Sequence, residues 1–351
     1  MQGRSLGLQS ARRRWAAGVL SVITLAMSLT VTAPASADPG LLRSGAAPSA
    51  AYVDHIDQID DRRWEVYVYS PSMDRVIPLQ VIRPADTSVP RPTLYLLNGA
   101  SGGENEANWL DQTDVVDFFG DKDANVVMPA EGDSSYYTDW VNDDPVLGRN
   151  KWTTFLTREL PPVIDSALGT DGINAIAGLS MAATSVLELA TQAPDLYRGV
   201  GSYSGCAQTS DPVGQAYVRT VVELSGGGDA RNMWGPYDGP GWREHDPLVN
   251  AEKLRGISLY IANGSGLPGP YEDPARPDTP QGLWWLNQAV IGGAIEVATD
   301  VCTHNLADRL QELNIPATFN FRDVGTHSWG YWQDDLHDSW PQLAASLGLS
   351  A

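Results

Sequence analysis

The sequence is poor in basic residues. Of 351 residues, 23 are lysine or arginine and 43 are aspartate or glutamate, which gives a formal net charge of −20. Four of the arginines lie before residue 38, and without them the chain would carry 19 basic residues and a net charge of −24. Because binding to phosphates needs clustered lysine and arginine, this composition argues against a nucleic-acid partner.

Cysteine is scarce as well, with only Cys206 and Cys302 present beside five scattered histidines. No Cys-x-x-Cys pair and no histidine spacing typical of a metal site occurs, so we predict no zinc site and no cofactor. In an exported protein an even pair of cysteines indicates a disulfide, although two free buried thiols would also fit. Such a disulfide would join the segment after one strand to the helix after another.

Only one long hydrophobic run is present, near the N-terminus. Arginines precede the apolar run at 15–31, and the small residues "APASA" follow it at 33–37. This order is typical of a secretory signal peptide, so we predict that residues 1–37 are removed and that the protein is secreted or held in the cell envelope. A membrane anchor is the weaker interpretation, because the run is shorter than roughly 20 residues. The arginine run would also suit a twin-arginine exporter.

After the signal segment, β-rich runs alternate with helical patterns. Residues 63–70 and 76–82 predict an antiparallel hairpin. Short apolar runs predict parallel strands, and helical patterns lie between or after them; the strands are at 93–97, 125–129, 174–178, 199–204, 258–263 and 317–321, and the helices at 151–168, 180–194, 294–313 and 334–348. This alternation predicts an α/β fold with a mostly parallel sheet covered by helices on both faces.

The sequence predicts one large domain with two irregular segments. We assign residues 38–60 to a loosely held N-terminal arm and residues 61–351 to a single catalytic domain. The stretch 263–293 is rich in proline and glycine and contains paired tryptophans. Loops of this length are usually disordered or functional, and the tryptophans favour a lid-like insertion. The sequence indicates no oligomeric state.

The stretch "AIAGLSMAATSVLELA" (175–190) passes directly from an apolar run into a helical pattern at Ser180. A strand that turns sharply into a helix strains the corner residue, so small residues such as Gly178 and Ala182 are needed beside it. The usual pattern is Gly-x-Ser-x-Gly. A serine at such a corner projects its hydroxyl at a helix N-terminus, which favours developing negative charge. We therefore predict that Ser180 is a nucleophile; a serine that merely caps the helix is the alternative.

A serine nucleophile needs a base that is held by a third group. His327 is the best candidate, because it follows the last predicted strand directly. The chain order serine, acid, histidine leaves the acid open among Glu296, Asp300, Asp308, Glu312, Glu272, Asp273 and Asp278.

Acyl chemistry also needs N–H donors for the oxyanion. We expect one from Met181, the residue after the nucleophile, and one from the glycine-rich turn 98–103, where Ala100 is the candidate. A merely flexible turn is the alternative for this second segment.

These residues resemble the antigen 85-type mycolyltransferases, secreted acyltransferases of mycolic-acid-containing bacteria. The resemblance covers most of the chain beyond the signal segment, and its blocks come in the family's order: "YLLNGA", "NVVMPAEGDSSYYTDW", "KWTTFLTRELPPVI", "AIAGLSMAATSVLELA", "NMWGPYDGPGWREHDPLVNAEKL" and "GTHSWGYW". It implies an α/β-hydrolase fold in which Ser180 is the acyl nucleophile, His327 the general base and Glu296 the triad acid. Glu296 has one residue fewer before the histidine than the family shows.

The resemblance also implies an activity and its partners. A mycolyl group would pass from trehalose monomycolate through Ser180 to trehalose or to another glycolipid or polysaccharide acceptor of the cell envelope. Trp329 matches a tryptophan of the sugar site, whereas the family's trehalose-binding Asp, Arg and Asn fall on Asn98, Ser101 and Gln112. Because two of the charged sugar-binding residues are replaced by neutral ones, the resemblance does not identify the acyl acceptor. A secreted carboxylesterase with the same triad and a non-catalytic carbohydrate- or matrix-binding protein are the alternatives.

Overall fold

A computed structural model describes residues 50–276, 279 and 282–350. The predicted signal peptide and residues 38–49 of the predicted arm lie outside the described residues.

Nine strands of the described residues form one mixed sheet in the order β1-β2-β3-β5-β4-β6-β7-β8-β9. The first three strands and the β3–β5 pair are antiparallel, and the strands from β5 to β9 in this order are parallel. The strands are β1 (Tyr52–Gln58), β2 (Arg63–Ser70), β3 (Arg75–Ile82), β4 (Thr93–Leu97), β5 (Asn125–Pro129), β6 (Asn174–Leu179), β7 (Tyr197–Tyr203), β8 (Ser258–Gly264) and β9 (Thr318–Arg322). The predicted hairpin and parallel strands are thus confirmed.

Strand β1 departs from the prediction of a loose arm. Its residues pair with β2 along the edge of the sheet, from Tyr52 opposite Tyr69 to Gln58 opposite Trp64. The pairing register shifts between Val53 and His55, so Val53 and Ile56 both pack against the core although they are three residues apart. The sequence therefore shows no alternation of apolar and polar residues along this strand.

Helices cover the sheet, and the longer ones are α4, α5, α10 and α11. The α-helical segments are α1 (Trp109–Gln112), α2 (Val115–Phe118), α3 (Trp152–Thr154), α4 (Leu160–Leu168), α5 (Met181–Gln192), α6 (Pro212–Arg219), α7 (Ala230–Trp234), α8 (Pro240–Glu244), α9 (Leu283–Leu286), α10 (Gly293–Glu312) and α11 (Trp329–Ser346). Short 3₁₀ turns lie at Phe119–Asp121, Ala251–Leu254 and Pro270–Glu272, and π-helical turns at Phe155–Glu159, Thr220–Ser225 and Asn287–Gly292.

Two helix boundaries differ from the predictions. The predicted helix at 151–168 is divided into α3, a π-helical turn and α4, with the proline pair in the first turn of α4. Helix α11 begins at Trp329, five residues before the predicted start at 334. Gly330 explains part of this difference: glycine disfavours a helix by propensity, but here a Cβ would lie 2.4 Å from the Tyr271 ring.

Alternate residues of the strands belong to two apolar clusters on opposite faces of the sheet. Tyr95 and Leu97 of β4 join the cluster that includes residues of α4, α5 and α10. Leu94 and Leu96 join the other cluster, which includes residues of α1 and α11. The central strands are therefore buried on both sides, as expected for parallel strands under helices.

The predicted disulfide is present and joins Cys206, after β7, to Cys302 in α10. Within the described part of the chain, no helix combines the length and the apolar character that crossing a membrane requires.

Candidate active site

Ser180 stands at the sharp corner between β6 and α5. Its backbone has φ 55° and ψ −121°, a strained conformation for a residue with a side chain. The turn is tight because a Cβ on Gly178 would lie only 2.8 Å from the Cβ of Ala182. The small residues on both sides of Ser180 therefore have the steric reason that the sequence suggested, and the serine side chain lies at the carboxyl end of the parallel strands.

Three side chains from distant parts of the chain meet at this corner. The Oγ of Ser180 lies 2.7 Å from Nε2 of His327, in the loop between β9 and α11. Nδ1 of the same ring lies 2.8 Å from Oε2 of Glu296, in the first turn of α10. A carboxylate can only accept, so Nδ1 carries the proton and Nε2 accepts from the serine hydroxyl. In this arrangement the ring is ready to remove a proton from Ser180.

Glu296 is fully buried, and each of its oxygens is hydrogen-bonded. Oε1 accepts from the Ser204 hydroxyl at 2.7 Å and from the Gly264 N–H at 2.7 Å, while Oε2 accepts from His327. These donors compensate for the removal of a charged group from water. The other acids that the chain order allowed have different surroundings: Asp300 lies near His304, Glu312 binds Arg309, and Asp278 is outside the described residues.

Sequence reasoning missed Ser204. It follows β7, the neighbour of the strand that carries Ser180, and it too has a positive φ, of 58°. Its N–H donates to the Ala262 carbonyl at 2.9 Å, which leaves its hydroxyl to orient Glu296. The nearby Cys206–Cys302 disulfide ties this segment to the helix of Glu296. The position of Ser204 at the carboxyl end of a strand is the signal that could have identified it.

A second buried carboxylate, Glu272, holds the loop that carries His327. Its Oε1 accepts from the hydroxyls of Thr326 (2.7 Å) and Ser328 (3.2 Å), the two neighbours of the histidine. Its Oε2 accepts from the Tyr331 hydroxyl at 2.6 Å and from the Gly269 N–H at 3.0 Å. Glu272 therefore orients both sides of the histidine without touching its ring.

The main chain of His327 is held by the same inserted stretch. Its carbonyl accepts from Gln288 Nε2 at 2.7 Å, and its N–H donates to the Gly292 carbonyl at 3.2 Å. The indole N–H of Trp285 donates to the carbonyl of Glu272 at 2.6 Å. The described part of 263–293 thus supports the histidine loop, a role that the lid-like assignment did not include.

The two predicted oxyanion donors belong to segments that flank the serine. Met181 opens α5, where the first backbone N–H groups have no partner within the helix. Ala100 lies in the turn after β4, and a Cβ on the preceding Gly99 would lie 3.6 Å from the Cβ of Ser180. The turn is anchored because the Ser134 N–H donates to the Ala100 carbonyl at 2.8 Å.

The predicted sugar-site residues are not all available to a ligand. Asn98 is fully buried, its Nδ2 donates to the Pro129 carbonyl at 3.1 Å and its Oδ1 accepts from the Trp109 N–H at 3.1 Å. Asn98 is therefore a structural residue, which corrects the expectation that it contacts an acceptor. Ser101 and Gln112 are more exposed, and both donate to carbonyls of the loop between them.

Trp329 remains partly accessible at the start of α11. Its ring packs edge-to-face against Trp109 (centroids 5.6 Å apart) and Trp332 (5.3 Å), and Trp332 in turn contacts the ring of His327 at 4.9 Å. An aromatic surface therefore extends from the histidine toward solvent.

Tyr217 of α6 lies close to Ser180. Burial raises the pKa of its phenol, and the interaction with Ser180 opposes part of that rise. The tyrosine also lines a groove of about 390 Å³ between α6 and α10; the other lining residues include Pro212, Val213, Ala216, Ala298 and Cys302. The groove is mostly apolar, and Tyr217 is the lining residue that lies close to Ser180. Sequence reasoning missed it, because no local pattern brings α6 against α10.

Among residues 50–276, 279 and 282–350, no three histidine, cysteine, aspartate or glutamate side chains are grouped so that they could hold a metal ion.

The mixed sheet and the strained serine corner define the protein as a member of the α/β-hydrolase class. Comparison with known proteins gives the family. The family described as "Putative esterase" matches residues 70–343. Over 295 residues the chain is 34% identical to the diacylglycerol acyltransferase/mycolyltransferase Ag85A of Mycobacterium leprae, and the match covers 81% of this chain and 83% of that protein. It is 31% identical over 291 residues to Ag85B of the same organism, with 80% and 83% covered.

Solved structures agree with this result. MPT51 (FbpC1) of Mycobacterium tuberculosis superposes with a TM-score of 0.65 at 25% identity, covering 79% of this chain and 96% of that one. FphF, a serine hydrolase of Staphylococcus aureus, shares the fold with a TM-score of 0.58 at 19% identity, covering 81% and 97%. The chain belongs to the antigen 85-type mycolyltransferase family.

Proposed function

We propose that the protein is a serine acyltransferase. It moves a mycolyl or similar long-chain acyl group from trehalose monomycolate, through an acyl-enzyme at Ser180, to trehalose or another hydroxyl of the cell envelope. The observation that carries this proposal is the continuous line of hydrogen bonds from Ser180 through His327 to Glu296. The names of the mycobacterial relatives support the substrate class.

The first half-reaction forms the acyl-enzyme. Nε2 of His327 takes the proton of Ser180 as Oγ bonds to the ester carbonyl carbon, and the carbonyl oxygen becomes an oxyanion. Glu296 stabilises the positive ring that results, through the hydrogen bond at Nδ1. When the oxyanion collapses, the carbon–oxygen bond to the sugar breaks and Nε2 returns the proton to the leaving alcohol.

The second half-reaction runs the same steps with a new alcohol. The acceptor hydroxyl gives its proton to His327 and attacks the acyl carbon, and Ser180 leaves with that proton. The N–H groups of Met181 and Ala100 are the proposed oxyanion donors, and one such donor contributes about 3 kcal/mol in the transition state. The N-terminus of α5 favours the same negative charge.

The surroundings of Ser180 support a substrate with a lipid part and a sugar part. The apolar groove between α6 and α10 suits a hydrocarbon chain, since such pockets bind mainly by removing apolar surface from water. Trp329 offers an aromatic ring on which a sugar could pack. Since Asn98 is buried, Ser101, Gln112 and Trp329 are the proposed acceptor-site residues.

Export to the cell envelope is part of this proposal and rests on the signal-like residues 1–37. Trehalose mycolates and envelope glycolipids or polysaccharides are the proposed partners.

A secreted carboxylesterase is the second candidate, favoured by the family description. It would use the same residues with water in place of the acceptor alcohol. The two functions differ only in whether an added sugar receives the acyl group.

The test uses the exported protein, purified from culture medium, with trehalose monomycolate and trehalose. We expect mass spectrometry to find dimycolate, and Ser180→Ala to lower transfer by at least about 10³-fold and to abolish labelling by a fluorophosphonate. Ser166→Ala changes an exposed serine of α4 that takes no part in the candidate site, so this control should behave like the parent protein. Fatty-acid release that added trehalose does not change would assign the carboxylesterase, and transfer that survives Ser180→Ala would refute the mechanism.

A further inference from the structure

The helical stretch that leads to Glu296 exposes large apolar side chains to solvent. Helix α9, the π-helical turn Asn287–Gly292 and α10 follow one another without a break in the chain. The exposed fractions of these side chains lie between 43% and 85%. We call this set the apolar face: Leu283, Trp284, Leu286, Val290, Ile291, Val297 and Val301. Soluble proteins rarely expose a contiguous set of this kind unless it contacts a partner.

Most of the apolar face lies in a stretch without exposed charge, although the protein is strongly acidic; Asp300, partly exposed beside His304, borders it at Val301. Residues 283–299 contain a single ionisable side chain, Glu296, and that side chain is fully buried. What distinguishes this stretch is that its apolar side chains are exposed, whereas those of the similarly charge-poor residues 172–194 are mostly buried. A surface of this kind would not attract a charged partner, because it offers neither ion pairs nor steering.

The face is continuous with the active site. Gly292, within the same stretch, accepts the hydrogen bond from the His327 N–H. Ala298 and Cys302 of α10 line the groove together with Tyr217, a neighbour of Ser180, while Val297 and Val301 of the same helix belong to the apolar face. An acyl chain could therefore pass from the face to the nucleophile along apolar surface.

We infer that the apolar face seats the protein on a layer of lipids without net charge, so that the donor ester enters the groove directly from that layer. The inference rests on the proposed function, because only an enzyme with a lipid substrate needs this contact. Uncharged lipid is the occupant that matches the surface: burial of apolar side chains drives binding, and the net charge of −20 disfavours an anionic membrane.

Flotation with lipid vesicles tests the inference without any need for catalysis. We expect the exported protein to float with phosphatidylcholine vesicles and to bind phosphatidylglycerol-rich vesicles more weakly. Leu283→Ser/Leu286→Ser should weaken binding to phosphatidylcholine at least tenfold. Val141→Ser/Val146→Ser removes two valines that are equally exposed but lie in another loop, and it should bind like the parent protein. Ser180→Ala should also bind normally.

Activity measurements distinguish a loss of lipid binding from a loss of catalysis. With a water-soluble short-chain ester, the Leu283→Ser/Leu286→Ser variant should keep kcat/KM within about twofold, whereas with dispersed long-chain ester it should lose about tenfold. A parent protein that does not float, or a variant that floats equally well, would overturn the inference and leave the acyltransferase proposal intact. Flotation without acyl transfer would refute the proposed function alone. If sedimentation shows a dimer that the double variant loses, the face belongs to a second copy of the chain and the inference is wrong.

Discussion

The molecule buries two glutamate–histidine pairs that look alike at the carboxylate and differ beyond the ring. Glu296 lies 2.8 Å from Nδ1 of His327, and Glu188 lies 2.7 Å from Nδ1 of His245. Both carboxylates are almost completely removed from solvent. By these distances alone, either pair could activate a nucleophile.

The groups around each pair distinguish them. Nε2 of His327 meets the Ser180 hydroxyl, whereas the ring of His245 lies parallel to Trp234 with centroids 5.2 Å apart. Glu296 uses both of its oxygens, but Oε2 of Glu188 has no hydrogen-bond partner within the described residues. A buried glutamate–histidine pair therefore does not by itself indicate catalysis; the group at the far nitrogen decides.

The two glutamate–histidine pairs should differ most in the loss of kcat that follows when the histidine of each pair is replaced by alanine. His327→Ala should lower the kcat for ester cleavage by about 10³-fold or more, because Ser180 loses its base. His245→Ala should leave kcat within a fewfold and lower the free energy of unfolding by about 1–3 kcal/mol, because Glu188 loses a buried partner. Steady-state kinetics and urea unfolding measure both quantities. Equal losses of kcat in the two variants would contradict the distinction.

A smaller effect should separate the positioning carboxylate Glu272 from Glu188. Glu272→Gln changes an acceptor of four hydrogen bonds beside His327, so we expect a loss of about 10- to 100-fold in kcat, the cost of a misplaced catalytic group. The midpoint of the acidic limb of the pH–rate profile should shift, because the ring of the base moves relative to Glu296.

Glu188→Gln is the matched control, as it makes the same change in an equally buried side chain that does not contact the histidine loop. It should leave kcat and the pH–rate profile nearly unchanged. If both variants lose stability and neither changes the profile, Glu272 is only a structural residue.

The smallest expected effect is a pH dependence of stability at Glu188. Burial raises the pKa of this carboxyl above 4.5, and the hydrogen bond from His245 opposes that rise only in part. The folded state then holds the proton more tightly than the unfolded state, so the free energy of unfolding falls as pH rises from 4.5 through the raised pKa. A tenfold difference in proton affinity between the two states corresponds to about 1.4 kcal/mol.

In Glu188→Gln this contribution is absent. The difference in unfolding free energy between the parent protein and the variant should therefore fall as pH rises through that interval and become constant above it. Denaturant titrations at a series of pH values measure the difference. A difference that does not vary with pH would exclude the raised pKa.

Much of the architecture could be predicted from local pattern. Apolar runs such as 93–97 and 125–129 are strands because both faces of a parallel sheet are buried, and the structure confirms them. Strand β1 could not be recognised, since its bulge breaks the period on which such a prediction depends. The early start of α11 escapes prediction because Gly330 is retained for contact with Tyr271, which no propensity reveals.

The candidate site likewise has residues whose role could be predicted from the sequence and residues whose role could not. Ser180 could be located from Gly178 and Ala182, because the steric demand of a tight turn is local. The family resemblance places Asn98 at a sugar site, whereas its amide serves the Pro129 and Trp109 backbones. The amide of an asparagine can hydrogen-bond to the backbone of a buried turn as readily as it can to a ligand. Sequence alone does not distinguish these two uses.

The sequence by itself determined the strand-to-helix corner, the succession of parallel strands along the chain and the family, because small-residue spacing and apolar periodicity are properties of neighbouring residues. Chain order left seven acids open and the family resemblance implied Glu296, and the tertiary structure brings that carboxylate to His327. Only the tertiary structure decided that Ser204 and Glu272 hold the two carboxylate networks and that an apolar face adjoins the groove. These features depend on contacts between residues up to 147 positions apart, and such contacts leave no periodic trace in the chain.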